Sequence, residues 1–312
     1  MVWDIVFLVA GLVLLFFGGE GLVRGSVSLA DRFGISKIVV GMVIVGFGTS
    51  APELLVSLQA ALAGSPDIAI GNVVGSNIAN VLLIVGLAAL IAPVSNKDVS
   101  IRRDGIVMVA VSLVLLPLLF IGRVGLASGV FLLTLLTLYL VATYYIESRR
   151  RASVFVEEAS ELKDIAFSPA LAVIAVVIGL VMLVFGARLM VEGATGIARL
   201  FGISEAVIGL TIVAVGTSLP ELATAIVAAI RRHSDVVLAN VIGSNIFNIL
   251  CILGVTAVVS PIPVAPRFAA FDGPVMAAVA IAATAGLFLL KTIGRAAASA
   301  LLAAYALYLV LQ

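Results

Sequence analysis

The sequence has little of what a soluble protein or a zinc enzyme uses. Its 312 residues include one cysteine, Cys251, and one histidine, His233, and only 11% of them are charged. A single cysteine excludes an intrachain disulfide framework. Since no Ser/His pair or histidine cluster lies within the apolar runs, we expect neither an enzyme nor a prosthetic group. The net charge of +1 gives no reason to expect nucleic acid as a partner.

Long apolar runs fill nearly the whole sequence instead. Hydrophobic residues make up 63% of the sequence, whereas soluble domains are roughly half apolar. Each run is long enough to cross a hydrocarbon core of about 30 Å as a helix. This predicts an all-α membrane protein with the lipid bilayer as its partner. Charges, glycines and prolines delimit ten transmembrane helices, near residues 5–23, 38–63, 68–92, 105–122, 126–146, 170–190, 206–230, 235–259, 270–290 and 295–311.

One extended polar segment, residues 147–167, divides the chain into units of five helices at 1–146 and 168–312. Its mixed charges predict a solvated linker. With the N-terminus outside, fourteen of the 18 Lys and Arg residues fall on cytoplasmic loops, which is the usual bias of inner loops. We therefore predict a cytoplasmic linker and extracellular or periplasmic termini. The expected location is the plasma membrane, or the inner membrane of a Gram-negative cell.

The two units are copies of one another. A shift of 168 positions carries Gly-Thr-Ser-x-Pro-Glu at 48–53 onto the same motif at 216–221, and Gly-Ser-Asn-Ile-x-Asn at 75–80 onto 243–248. Because each unit contains an odd number of spans, the second copy should enter the membrane from the opposite side. The sequence thus predicts two inverted repeats, the architecture of many secondary transporters.

Two acidic residues lie deep in apolar runs, Glu53 in the second span and Glu221 in the seventh. Charges at that depth are costly and usually mark an ion path, a proton relay or an ion pair. On this interpretation they are the only deep acidic residues at matched positions of the repeat. In both copies Pro precedes the Glu directly, and Gly lies four residues before Pro. Proline obstructs helical hydrogen bonding and glycine tolerates unwinding, so we expect both helices to break there.

Oxygen donors accompany both predicted breaks, which favours a site over a simple proline kink. The third and eighth spans add pairs of side chains four residues apart on one helix face, Ser76 with Asn80 and Ser244 with Asn248. Carboxylate, hydroxyl, amide and carbonyl oxygens, without thiol or imidazole, are the ligands preferred by hard cations such as Ca²⁺ and Na⁺. The sequence therefore predicts a cation site at the helix breaks.

Four neighbouring asparagines have less definite roles. Asn72 and Asn240 are typical of polar contacts between membrane helices. Asn77 and Asn245 fit packing or helix-end hydrogen bonding as well as ligation. These alternatives stay open at the level of sequence.

The four motifs in this order resemble the alpha repeats of the sodium/calcium exchanger family, within the calcium/cation antiporter superfamily. The likeness in topology extends over the whole sequence and is to a prokaryotic-type minimal exchanger, without the large calcium-sensing domains of animal exchangers. The resemblance implies a central cation site. The implied ligands are Glu53 and Glu221, hydroxyl or carbonyl oxygens of Thr49, Ser50, Thr217 and Ser218, the carbonyls of Gly46 and Ala214, and side chains of Ser76, Ser244, Asn80 and Asn248.

The resemblance implies exchange of Ca²⁺ against Na⁺ by alternating access, with sliding of the first and sixth helices. Two carboxylates offset one Ca²⁺ or most of a small group of Na⁺, and no second copy of the protein is required. The alternatives are a Ca²⁺/H⁺ antiporter, in which both glutamates carry protons, and a passive cation channel. Many exchangers, including potassium-dependent ones, carry Asp at the position of Asn248, so we also predict transport that does not need K⁺.

Overall fold

The computed structural model describes residues 2–33, 45–95, 99–154, 167–202, 214–290 and 292–311. The first half contains helices α1 (Val2–Phe33), α2 (Phe47–Thr49), α3 (Ala51–Leu62), α4 (Pro66–Ala79), α5 (Val85–Ile91), α6 (Val99–Phe120) and α7 (Leu126–Val154). The second half contains α8 (Pro169–Leu200), α9 (Ala214–Thr217), α10 (Leu219–Ile230), α11 (Ser234–Phe247), α12 (Gly254–Val259), α13 (Gly273–Leu289) and α14 (Arg295–Val310). Turns of π-helix join α4 to α5 at Asn80–Ile84 and α11 to α12 at Asn248–Leu253, and another precedes α13 at Phe268–Asp272.

Each of the ten predicted spans contains a helix in the part of the protein that the structure describes. Among the residues that the structure describes, seven helical segments are long and apolar enough to cross a membrane, and three apolar helices are shorter: α3, α10 and α14. The helices α3 and α10 are short because they begin at the predicted breaks. The first residues of those two spans fall within 34–44 and 203–213, outside the described residues.

The fifth predicted span ends at residue 146, whereas helix α7 continues to Val154. The continuation runs through Arg149, Arg150, Arg151 and Ala152, which are strong helix formers. The first part of the predicted linker is therefore helical. Residues 155–166 of the linker lie outside the described part.

Two short antiparallel strand pairs join loops of the two halves. Strand β1 (Val94–Ser95) pairs with β4 (Thr292–Ile293), and β2 (Arg123–Val124) pairs with β3 (Ile262–Pro263). The 168-residue shift carries β1 onto β3, and it carries β2 to within one residue of β4. Because β1 precedes α6 and β2 follows it, the two pairs lie at opposite ends of a helix about 33 Å long.

The helices differ sharply in how far other helices enclose them. The apolar window of Ser234–Val259 is completely buried and that of Pro66–Ile91 is 72% buried, whereas that of α1 is 28% buried. The central pair therefore consists of α4–α5 and α11–α12. Helix α1 packs instead along α8, where glycines allow close contact: a Cβ added at Gly11 would lie 2.7 Å from the Gly186 carbonyl oxygen, and one at Gly18 would lie 2.9 Å from that of Gly179.

Candidate cation site

Both predicted helix breaks are present. Ser50 separates α2 from α3 with φ −81° and ψ 6°, and Ser218 separates α9 from α10 with φ −87° and ψ 8°. The motif prolines lie at the start of the following helix, where the missing N–H leaves no helical hydrogen bond unmade. Glu53 and Glu221 consequently fall in the first turn of α3 and α10, where the helix dipole favours negative charge.

The two glutamates are held by serines of the opposite half. Both side chains are buried, each 1% exposed. The Ser218 hydroxyl donates to Oε1 of Glu53 at 3.4 Å, and the Ser50 hydroxyl donates to Oε1 of Glu221 at 3.0 Å. Each break thus contacts the carboxylate of the other, and the two breaks form one site.

Four oxygens at this site have no hydrogen-bond partner among the described residues. They are Oε2 of Glu53, Oε2 of Glu221, Oδ1 of Asn80 and Oδ1 of Asn248. They form two pairs related by the 168-residue shift, and all four are acceptors. Buried polar atoms without partners are costly, and a bound cation would satisfy oxygens of this kind.

The other unpaired side-chain atoms in the described ranges lack this symmetry. They belong to Ser26, Arg102, Thr195 and Thr256. The 168-residue shift pairs none of these positions with another of the same residue type. Among the unpaired atoms of the described side chains, only the Glu and Asn oxygens recur in both halves, so the twofold pattern distinguishes them from the rest.

The backbone at Asn80 and Asn248 is unusual in the same way in both halves. Each asparagine begins a π-helical turn, a rare feature that is frequent at functional sites. One turn earlier, the hydroxyl oxygens of Ser76 and Ser218 lie 3.3 Å apart. Ser244, its counterpart, donates to the Gly46 carbonyl at 3.3 Å. The predicted Ser donors of the third and eighth spans therefore border the helix breaks, and the predicted Asn donors lie one turn further along the same helices.

The Gly46 carbonyl, which the sequence predicts to be a cation ligand, accepts several hydrogen bonds within the protein. It accepts hydrogen bonds from the Ser50 amide at 3.2 Å, the Thr49 hydroxyl at 3.2 Å and the Ser244 hydroxyl at 3.3 Å. In this conformation the carbonyl ties the break to α11. Ala214 begins α9, directly after residues 203–213, which lie outside the described part.

Asn72 and Asn240 donate hydrogen bonds to the backbone carbonyls of the two glutamates. The Asn72 amide donates to the Glu53 carbonyl at 3.0 Å, and the Asn240 amide donates to the Glu221 carbonyl at 3.3 Å. The oxygen of Asn72 accepts from the hydroxyl of Thr217 at 3.3 Å. These asparagines make the interhelical contacts expected of them and fix the backbone that carries the carboxylates.

The predicted threonines face these asparagines across the two halves. The Thr217 hydroxyl donates to Asn72, and the Thr49 hydroxyl lies 3.4 Å from Oδ1 of Asn240. Both hydroxyls therefore contact the supporting amides in the described structure.

Asn77 and Asn245 contact each other, and each donates to the backbone carbonyl of the other at 3.2 Å.

Sequence reasoning missed a second pair of buried acids. Asp104 and Asp272 are 168 positions apart and 0% and 2% exposed. The glutamates are therefore not the only buried acidic residues at matched positions of the repeat. Both aspartates lie at the edge of a predicted span, next to charged or loop residues, where hydropathy places them at the membrane surface. The 168-residue shift was the signal that could have found them.

These aspartates are fully engaged by other side chains. Asp104 pairs with Arg103 at 2.9 Å and hydrogen-bonds with Tyr139. Asp272 pairs with Arg267 at 3.1 Å and accepts from the Tyr308 hydroxyl at 3.0 Å. Within the described ranges, no group of three or more His, Cys, Asp or Glu side chains comes together. The Glu/Asn cluster is thus the candidate site, with oxygen donors alone.

The protein is similar to known proteins over nearly the whole of its sequence. A family model described as sodium/calcium exchanger protein matches residues 3–145 and 171–312. Inner membrane protein YrbG of Escherichia coli is 39% identical over 280 residues, which cover 88% of this chain and 85% of that protein. Sodium/calcium exchanger MaX1 of Methanosarcina acetivorans is 33% identical over 310 residues, 88% of either protein. A solved structure of the sodium-calcium exchanger NCX_Mj, soaked with 10 mM Na⁺ and 10 mM Sr²⁺, has a TM-score of 0.85 and 32% identity, and covers 99% of this chain and 98% of that one.

Proposed function

The chain belongs to the sodium/calcium exchanger family, and on that premise we propose that it is a secondary active antiporter that exchanges Ca²⁺ for Na⁺ at the Glu53/Glu221 site. The observation that carries the proposal is the matched set of four buried acceptor oxygens without hydrogen-bond partners among the described residues. Bound cations would satisfy all four. The relative MaX1 is named a sodium/calcium exchanger, which supports the same pair of ions. The protein would act as a transporter and not as an enzyme.

The buried carboxylates supply a physical reason for coupled exchange. Two ionised glutamates in a site closed to water carry a charge that costs several kcal/mol when left uncompensated. One Ca²⁺, or a small group of Na⁺, removes that cost. A loaded site therefore changes its access side more easily than an empty charged one, which couples the two ions and opposes a leak. Both ions use one set of oxygens, so they compete.

We propose an arrangement of ten spans in two inverted repeats, 1–146 and 168–312, joined by the linker 147–167. The crossed hydrogen bonds from Ser218 to Glu53 and from Ser50 to Glu221 support it. The strand pairs at the two ends of α6 support it as well, since one pair maps onto the other under the same shift. A single polypeptide supplies all the proposed ligands, so a second copy is not required.

Alternating access in this proposal uses the peripheral helix pair. Helices α1 and α8 contact each other through glycines, and their apolar windows are only 28% and 33% buried. A sliding movement of this pair past the central helices would expose the site to one side and then to the other. The central helices α4 and α11 would hold the oxygens in place meanwhile.

The proposed orientation places both termini outside and the linker in the cytoplasm, in the plasma membrane or the inner membrane of a Gram-negative cell. The basic residues of the loops support it, as does a relative named an inner membrane protein. A cysteine introduced at Ser153 in a Cys251→Ser background tests it. We expect an impermeant thiol reagent to leave this cysteine unlabelled in intact cells and to label one at either terminus. The opposite pattern contradicts the orientation.

Flux of ⁴⁵Ca²⁺ into proteoliposomes tests the function. Vesicles loaded with Na⁺ should take up ⁴⁵Ca²⁺ when external Na⁺ is removed, and vesicles loaded with the same concentration of choline should not. Uptake driven by an imposed pH gradient in the absence of Na⁺ would show that H⁺, and not Na⁺, is the coupling ion. Uptake that needs neither gradient and only follows the Ca²⁺ concentration would indicate a channel.

A further inference from the structure

Four asparagines form a closed arrangement between the two central helices. The Asn80 amide nitrogen donates to Oδ1 of Asn245, and the Asn248 amide nitrogen donates to Oδ1 of Asn77, both at 2.9 Å. Asn77 and Asn245 donate in turn to each other's backbone carbonyl at 3.2 Å. All four side chains are buried. The contacts are crossed, because each ligand asparagine of one half is held by an asparagine of the other half.

The orientation of every amide in this arrangement is determined. A backbone carbonyl can only accept a hydrogen bond, so Asn245 must turn its NH₂ group toward the Asn77 carbonyl. Its oxygen then lies on the other side and needs a donor, which the NH₂ group of Asn80 supplies. In the other half, Asn77 must turn its NH₂ group toward the Asn245 carbonyl, and its oxygen then accepts from the NH₂ group of Asn248. Oδ1 of Asn80 and Oδ1 of Asn248 are thereby left without a donor among the described residues, and these are two of the four unpaired oxygens.

We propose that Asn77 and Asn245 are positioning residues that set the cation affinity of the site, by fixing Asn248 and Asn80 with oxygen rather than NH₂ toward the ions. The inference rests on the proposed function of the Glu53/Glu221 site. An amide is nearly symmetric in shape, and a rotated Asn80 or Asn248 would fill the same space. It would then direct a donor with partial positive charge at the cation. The two neighbouring asparagines exclude that alternative.

The two halves of the arrangement act independently. Loss of the Asn77 side chain removes the acceptor that holds Asn248. It leaves the Asn77 backbone carbonyl in place, so Asn245 keeps its orientation and continues to hold Asn80. Substitution of Asn77 should therefore affect Asn248 and spare Asn80. Substitution of Asn245 should do the reverse.

Double-mutant cycles on Ca²⁺ binding test this crossed dependence. We expect Asn77→Leu and Asn248→Leu each to weaken ⁴⁵Ca²⁺ binding to the purified protein by about tenfold, the loss of one hydrogen-bond-like contact to a charge. The double variant should be no more than about twofold weaker than either single variant, since a rotated Asn248 already contributes nothing. Asn245→Leu with Asn80→Leu should behave in the same way.

The matched control uses the same residues in the uncrossed combination. Asn77→Leu with Asn80→Leu, and Asn245→Leu with Asn248→Leu, should be additive, about a hundredfold weaker than the wild type. A purely structural role would make all four pairs behave alike. Additivity in the crossed pairs, or non-additivity in the uncrossed pairs, overturns the proposal.

A measurement on the unmodified protein covers the case in which a variant does not fold. In protein labelled with ¹³C-asparagine, Ca²⁺ should shift the infrared band of the labelled amide carbonyls, because the oxygens of Asn80 and Asn248 face the ion. Absence of any shift on Ca²⁺ binding overturns the positioning role and leaves the proposed function standing. A wild-type protein that binds no Ca²⁺ overturns both.

Discussion

Two pairs of buried carboxylates lie at matched positions of the repeat, and their surroundings differ. Asp104 and Asp272 are neutralised by arginines and hydrogen-bonded to tyrosines. Glu53 and Glu221 receive one serine hydroxyl each, and a second carboxylate oxygen stays without a partner in the described structure. Burial and symmetry alone therefore do not mark an ion site. The glutamates differ from the aspartates because each keeps a carboxylate oxygen that accepts no hydrogen bond from the described residues.

The largest expected effect comes from removing the charge of the glutamates. Glu53→Gln and Glu221→Gln keep the shape of the side chain but halve the charge available to Ca²⁺, and we expect each to reduce Na⁺-driven ⁴⁵Ca²⁺ uptake by about a hundredfold or more. Monodisperse elution in detergent should be retained. Near-normal uptake by either correctly inserted variant contradicts the assignment of the site.

The aspartates should give the opposite result. Asp104→Asn and Asp272→Asn remove a buried ion-pair partner, and we expect each to lower the free energy of unfolding by about 2 kcal/mol. Thermal unfolding in detergent measures the loss. Uptake by the folded fraction should stay within about threefold of the wild type. Loss of Ca²⁺ binding at unchanged thermal stability would show that the aspartates belong to the ion site as the glutamates do.

Removal of single hydroxyls refines the comparison. Ser50→Ala and Ser218→Ala each delete a donor to a glutamate of the other half, and we expect the KM for Ca²⁺ to change by about tenfold or less. Tyr308→Phe is the matched control, because it deletes a donor to Asp272. That variant should change thermal stability and leave the KM unaltered. Equal effects of all three on the KM would contradict the separation of the two pairs.

The smallest expected effect is that of K⁺. Holding Ca²⁺ together with a further monovalent cation in a buried site asks for more negative charge than two carboxylates supply. Asn80 and Asn248 contribute oxygen dipoles without net charge, and the aspartates are already neutralised by arginines. Exchange in K⁺-free medium should therefore equal exchange in K⁺ medium at a clamped membrane potential. A strict need for K⁺ shows that further charge reaches the site.

Much of the site could be predicted from sequence, since it depends on local chemistry repeated at a fixed interval. The family resemblance drawn from four motifs is confirmed by the match over 3–145 and 171–312. The broken helices followed from Pro and Gly beside a buried Glu, and they are present at Ser50 and Ser218. Which residues ligate ions remains a prediction for all twelve positions named from the resemblance.

Other features could not be predicted because they depend on contacts across the two halves. Nothing in the motifs shows that Ser50 donates to Glu221 and not to Glu53, its neighbour in sequence. The roles of Asn77 and Asn245 stayed open for the same reason. The burial of Asp104 could not be predicted because hydropathy places the start of a span only within a few residues, and burial depends on neighbouring helices.

The sequence by itself determined the membrane environment, the helical spans, the internal repeat and the oxygen-only chemistry of the candidate site. These follow from hydropathy, periodicity and residue type, which are properties of each segment alone. The tertiary structure decided which buried carboxylates are neutralised and which keep unused acceptors. It also decided which way the amides of Asn80 and Asn248 point. Both depend on the partners that packing brings within about 3 Å. The partners of Glu221, Asn80 and Asn248 lie about 170 residues away in the sequence.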